Sequence, residues 1–141
     1  MSDIERARAL LESEGYTCVL CLGDEFECSR RRGVAPLAAL VDSGKDYSGW
    51  SAADKVVGRA TAFLYALLGV RAVSAGVISR GALEVLRVAG IYVEYGTLAD
   101  HIINRTGDGM CPFEAAVQSV DEPQEAYKVI RGKMLQMGID I

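Results

Sequence analysis

Residues 70–95 read VRAVSAGVISRGALEVLRVAGIYVEY, and this stretch decides the fold class. Val70 to Ile78 is a β-prone apolar run, and Ser79 is a residue type that caps helix starts. Leu83, Val85 and Leu86 give the following short helix its apolar residues, Gly90 stops it, and Ile91 to Tyr95 is β-prone again. A strand, a helix and a strand in that order predict a parallel pair joined by a right-handed crossover.

Toward the N-terminus, Ser2-Asp3-Ile4-Glu5 is a capping box that opens an amphipathic helix ending at Gly15. Thr17–Leu22 and Glu25–Ser29 flank Gly23-Asp24, which predicts an antiparallel hairpin. Pro36 and Gly44 bracket a short helix. Ser51-Ala52-Ala53-Asp54 reads as a second capping box, opening an apolar helix that runs to Leu68 and stops at Gly69. Its apolar residues cover more than one face, which predicts the most buried helix of the domain. Toward the C-terminus, a loop-rich passage from Gly96 to Gly109 precedes a helix from about Pro112 and a last helix from about Pro123 to Leu135. The prediction is a single domain over residues 1–141, a three-layer α/β/α arrangement around a mixed sheet.

Half of the 141 residues are hydrophobic, enough for one core. Fifteen basic against 19 acidic residues give a net charge of −4, which argues against a broad surface for nucleic acid polymers or anionic lipid. The central apolar segment is too short and too polar at its start for a membrane span. The opening residues form a charged helix pattern rather than a leader, so the four cysteines do not read as a secreted disulfide framework, and the cytoplasm is the expected compartment. His101 is the single histidine and cannot build a multi-histidine site, so no metal or cofactor is expected. Self-association into a homo-oligomer is compatible with a sheet-based domain of this size.

Two segments can carry chemistry. In the first, Ser51 to Lys55 with Arg59 one turn on, a helix start and two cations on one strip suit a phosphate. Asp54 beside Lys55 could instead serve acid/base chemistry if buried, and the plain alternative is a capping acid beside a solvated lysine. The second is Asn104-Arg105-Thr106-Gly107-Asp108-Gly109, running into Met110-Cys111-Pro112-Phe113-Glu114. Its glycines can bring amides round a ligand and Arg105 can pair with phosphate, although the spacing is not that of a Walker loop. Cys111 at a helix start is a candidate thiolate; the alternative is a small cysteine in a tight turn with Glu114 closing a cap. Cys18 and Cys21 point to opposite faces of a strand and read as packing, as does Cys28 on the partner strand. Arg30, Arg31 and Arg32 could steer an anionic ligand but read as a solvated sheet edge, and His101 reads as structural.

Four stretches carry a family resemblance: Glu14 to Val19, Gly49 to Gly58, Ala82 to Leu86 with Ala89 to Ile91, and Ile103 to Gly107 with Gly109 to Glu114. Together they resemble a prokaryotic family, domain of unknown function 1893, a divergent member of the cytidine deaminase-like superfamily. The resemblance implies a mixed sheet between helices, with the site at the starts of two facing helices. Zinc deaminases place His-x-Glu or Cys-x-Glu at the first of these and Pro-Cys-x-x-Cys at the second. Here those places fall on Ala52-Ala53-Asp54 and Ile78-Ser79-Arg80-Gly81-Ala82, without the zinc ligands, so deamination by the zinc route is not expected.

The resemblance thus implies a deaminase-shaped pocket lined by Asp54, Lys55, Ser79, Asn104, Arg105 and Cys111, suited to a nucleotide or ribose-phosphate. Asp54 would be the acid/base or nucleophile and Lys55 its electrostatic partner. Arg105 with Thr106, Gly107 and Gly109 would contact phosphate, and Ser51, Arg59 and Glu114 would complete the site. Two other readings stand beside it: a metal-free transferase using the Cys111 thiol, and a non-catalytic interaction module in which Trp50, Met110 and Phe113 pack the site shut.

Overall fold

Ser2 opens the first helix by a reciprocal cap, its side chain accepting from Glu5 N while the Glu5 carboxylate accepts from Ser2 N. The computed structural model describes residues 1–104, 106–107 and 109–141. Helix α1 is Asp3–Glu14, and Gly15, at φ 70°, ends it in the left-handed region that glycine enters without strain. There follow β1 (Cys18–Leu22), β2 (Glu25–Ser29), α2 (Ala35–Ser43), β3 (Ser51–Val57), α3 (Arg59–Leu68), β4 (Ala72–Ser79), α4 (Arg80–Val88), β5 (Tyr92–Ala99), α5 (Pro112–Ala116) and α6 (Pro123–Gln136).

The strands form one mixed sheet in the order β2-β1-β3-β4-β5. β1 is antiparallel to both β2 and β3, and β3, β4 and β5 are mutually parallel. The chain is therefore an α/β protein, with a five-stranded mixed sheet and six helices among the described residues. Helix α1 covers one face, where Ala7 and Leu11 pack on Val19, Cys21 and Ala53. The other face carries the larger core, with Leu20, Ala52 and Val73 of the sheet meeting Phe63, Leu86 and Ile130. Helix α3 sits at the centre of that layer, against α2, α4 and α6. Among the described residues, no helix is long and apolar enough to cross a membrane.

The main correction falls on Ser51-Ala52-Ala53-Asp54. These residues do not begin a helix but form the middle strand of the sheet, and the helix starts later, at Arg59, with Gly58 as its cap. The local pattern is that of a capping box, yet Ser51, Ala52, Ala53 and Asp54 are all buried, because β3 is covered on both faces. A strand buried on both sides loses the alternation that marks strands in a sequence. Pairing with β1 and β4 overrides the helix preference of the two alanines.

Close approach explains two glycines. A Cβ on Gly76 would lie 2.7 Å from the Lys55 carbonyl oxygen, and one on Gly96 would lie 3.0 Å from that of Gly76. The two bare positions let three parallel strands close up where β3 nears its end.

Candidate functional site

Because β1 runs against β3, the C-terminal end of β3 lies beside the start of β1 and the end of β2. From β2 the chain passes through Arg30-Arg31-Arg32-Gly33 into the start of α2, and from β3 through Gly58 into the start of α3. Two helix starts and a basic turn therefore converge on one end of the sheet. Between them opens a cleft of about 850 Å³, closed on its remaining sides by residues 102–104, 111–114, Met137 and Ile139. Such clefts at the carboxyl ends of strands, where strand direction or order changes, are the usual ligand sites of open α/β sheets.

Asp54 is set into the wall of this cleft and is only 9% exposed. Its Oδ2 accepts from the Tyr65 hydroxyl at 2.7 Å, and its Oδ1 from Val56 N at 3.3 Å. Burial pushes the carboxyl up to about 7, against the opposing pull of the Tyr65 hydroxyl and the Val56 and Lys55 amides. A carboxyl there gains and loses a proton near neutral pH, as a general acid or base does. Burial and the Asp54 charge push the Tyr65 hydroxyl well above its usual range. Cys18, opposite Asp54 on β1, also lines the cleft, and burial followed by the Asp54 charge pushes its thiol up, away from thiolate.

The cleft is basic on the side of the β2–α2 turn. Arg30, Arg31 and Arg32 line it, and exposed Lys55 joins them from β3. The Thr17 hydroxyl donates to the Arg31 carbonyl at 2.6 Å and lies 2.9 Å from that of Ser29, fixing the turn. The Arg30 guanidinium lies over the Tyr16 ring at 4.2 Å, and Arg31 donates to the Asp140 carbonyl at 2.8 Å. The reading of these arginines as a solvated edge is thus incomplete, since all three face the cleft. The available signal was their position: a basic run directly ahead of a helix start, where anions are stabilised. Val34, Ile102, Ile103, Phe113, Met137 and Ile139 supply the apolar lining.

Of the residues singled out in the sequence, Asp54, Lys55, Asn104, Cys111 and Glu114 line this cleft. Ser51 does not, because it stands at the opposite end of β3. Ser79 is a buried cap whose hydroxyl accepts from Ala82 N at 3.2 Å, and it is not part of the lining. Arg59 shares no helical strip with Lys55, since Lys55 is in a strand. Its buried guanidinium donates to the carbonyls of Val117 at 3.1 Å, Val120 at 2.6 Å and Gly81 at 3.3 Å, so it ties α3 to the α5–α6 connection and to α4. Thr106, Gly107 and Gly109 are exposed and outside the lining, and Arg105 lies outside the described residues. Half-buried Cys111 is held by its amide, which donates to the Ile102 carbonyl at 2.8 Å. Trp50 packs on Tyr47, ring centroids 5.0 Å apart, and leaves the cleft open.

Glu114 joins α5 to the start of α3. It is buried, and its Oε2 accepts from Arg59 N at 2.9 Å. A Cβ on Gly58 would overlap that carboxylate, so glycine at the cap is what admits it. Among the described residues, no group of three or more His, Cys, Asp or Glu is placed to hold a metal ion.

This mixed-sheet fold with its cleft at two helix starts has a family. Residues 6–134 match the domain of unknown function DUF1893, and the chain belongs to that family. A solved relative is a DUF1893 family protein, TM1506, from Thermotoga maritima, whose crystal structure at 2.70 Å is similar to this chain with a TM-score of 0.87 and 25% identity, covering 94% of this chain and 91% of that one. No curated protein matches the chain.

Proposed function

We propose that this protein binds a nucleotide or ribose-phosphate type ligand in the cleft, and that Asp54 is the proton-exchanging group of any reaction there. The observation that carries the reading is the polarity of one cavity: Arg30, Arg31, Arg32 and Lys55 on one side, an apolar lining, and a buried Asp54. A phosphate suits the basic side and the open first turn of α2, and a flat, weakly polar group suits the apolar walls. The phosphate seat is thereby assigned to the β2–α2 turn, with Asn104 at its margin.

The deaminase-like character of the fold belongs to the same proposal. Two helix starts facing one cleft support it, but the helix starts that do so carry Val34-Ala35 and Gly58-Arg59, not Ala52-Ala53-Asp54. The correspondence of Asp54 with a deaminase glutamate therefore lapses, and its role rests on burial and on Tyr65 alone.

Isothermal titration with nucleoside mono-, di- and triphosphates and ribose 5-phosphate tests the binding claim. At least one should bind, more weakly as salt rises, and Arg32→Ala or Lys55→Ala should lower its affinity by about tenfold, the scale of one charge-assisted contact. Failure of every compound to bind, or unchanged affinity in both variants, overturns it.

A further inference from the structure

The two long helix starts at the cleft differ in one respect. The first turn of α2 carries no acidic residue and no side-chain cap, and it opens beside the three arginines. The first turn of α3 is already filled, by the carboxylate of Glu114, which arrives from α5 and accepts from Arg59 N at 2.9 Å. Among the described residues Glu114 forms no ion pair, and the Arg59 guanidinium is turned away toward Val117, Val120 and Gly81. A buried carboxylate held by a helix-start amide, that of Arg59, rather than by a cation sits as a bound anion would. The seat is built for it, because the side chain that any other residue would place at Gly58 would collide with this oxygen. Glu114 also lines the cleft, so an incoming ligand meets its charge.

We propose that Glu114 is a specificity-determining residue: it is an internal anion that closes the α3 start to ligand phosphate and leaves one anion seat, at the Arg30–Arg32 side. The ligand class follows. It carries its negative charge at one end, and the end that reaches Asp54 and Glu114 is neutral and bears hydrogen-bond donors, because the Glu114 carboxylate accepts and Asp54 accepts when ionised. Diphosphates that place charge at both helix starts are disfavoured by repulsion from Glu114. This deepens the phosphate reading of the cleft and rests on it for the ligand class, while the role of Glu114 at the α3 start stands on its own geometry.

The test titrates inorganic phosphate and a matched nucleoside mono- and diphosphate into the wild type, Glu114→Ala and Glu114→Gln, with folding checked by circular dichroism. Glu114→Gln keeps an oxygen for Arg59 N and removes only the charge, so it reports even where Glu114→Ala fails to fold. Inorganic phosphate should bind about tenfold tighter to folded Glu114→Ala and tighter by a smaller factor to Glu114→Gln. The gain should persist when Arg32→Ala is added, since the new seat is at α3, and the preference for monophosphate over diphosphate should shrink. Folded variants that bind phosphate as the wild type does overturn the assignment. A wild type that ignores every nucleotide while the variants gain phosphate would sink the nucleotide reading and leave the role of Glu114 standing. Nucleotide binding by the wild type with no gain in either variant does the reverse.

Discussion

The Tyr65 hydroxyl donates to Asp54 Oδ2 at 2.7 Å, joining α3 to β3 behind the wall of the cleft. Both side chains are buried, so each controls the other's proton. The hydrogen bond favours the charged carboxylate and burial opposes it, and burial wins, which holds Asp54 near 7 rather than 3.8.

Asp54 should make stability fall as pH rises. Its folded value is raised, so between about 4 and 7 the folded protein keeps a proton that the unfolded chain releases. The contribution is full below the unfolded value and is lost as pH climbs through the folded one, on the order of 4 kcal/mol at most. Asp54→Asn, which retains an acceptor for Tyr65, should be more stable than the wild type at about pH 8 and lose that advantage toward about pH 5. Urea unfolding across this range checks it; an advantage independent of pH would refute the assignment.

Tyr65→Phe removes the strongest hydrogen bond on the charged form of Asp54. The Asp54 titration should move up by about one pH unit, the scale of one hydrogen bond to a charged group. Carbon-13 NMR of the side-chain carboxyl reads this directly. A midpoint that stays or falls would show that Tyr65 merely fills space.

Arg59→Met should cost about 3 kcal/mol, because it removes three hydrogen bonds from a buried guanidinium to the carbonyls of Val117, Val120 and Gly81. Arg59→Lys should recover only part of this, since an ammonium cannot fork to Val117 and Val120 together. Thermal unfolding gives the loss. Titration of the folded variants should show unchanged nucleotide affinity, and a selective loss of binding would return Arg59 to the ligand site.

Gly76→Ala brings a methyl group against the Lys55 carbonyl, a contact of 2.7 Å that the backbone has to relieve. A cost of about 2 kcal/mol is expected, the usual scale for overpacking. Gly132→Ala is the control, since a Cβ there meets nothing within 4 Å and helix propensity favours alanine. Equal melting temperatures for the two variants would argue against close strand approach.

How much could be read from the chain alone depended on range. Ser2 with Glu5, Gly15, and the hairpin about Gly23-Asp24 announce themselves because every group involved lies within a few residues. The parallel pair β4–β5 is likewise carried by its own segment. β3 is different: Ser51-Ala52-Ala53-Asp54 has the residues of a helix start, and only the strands on either side of it, β1 and β4, make it a strand. The same limit applies at the cleft. Asp54, Lys55, Cys111 and Glu114 attract notice by residue type, whereas Arg30 to Arg32, Thr17 and Cys18 join them through the order of strands in the sheet. Tyr65 carries no local sign at all, since its meaning is the carboxylate eleven positions before it.

The last residues of the chain bear on how the protein is handled. Met137 and Ile139 line the cleft and the Asp140 carbonyl holds Arg31, so any polypeptide continued beyond Ile141 departs from the rim of the site. Helix α1 lies on the other face of the sheet. An affinity handle fused behind Ile141 would crowd the entrance and add its own charge to it, whereas one fused ahead of Met1 emerges from the α1 side, and the two preparations would report different ligand affinities for the same fold.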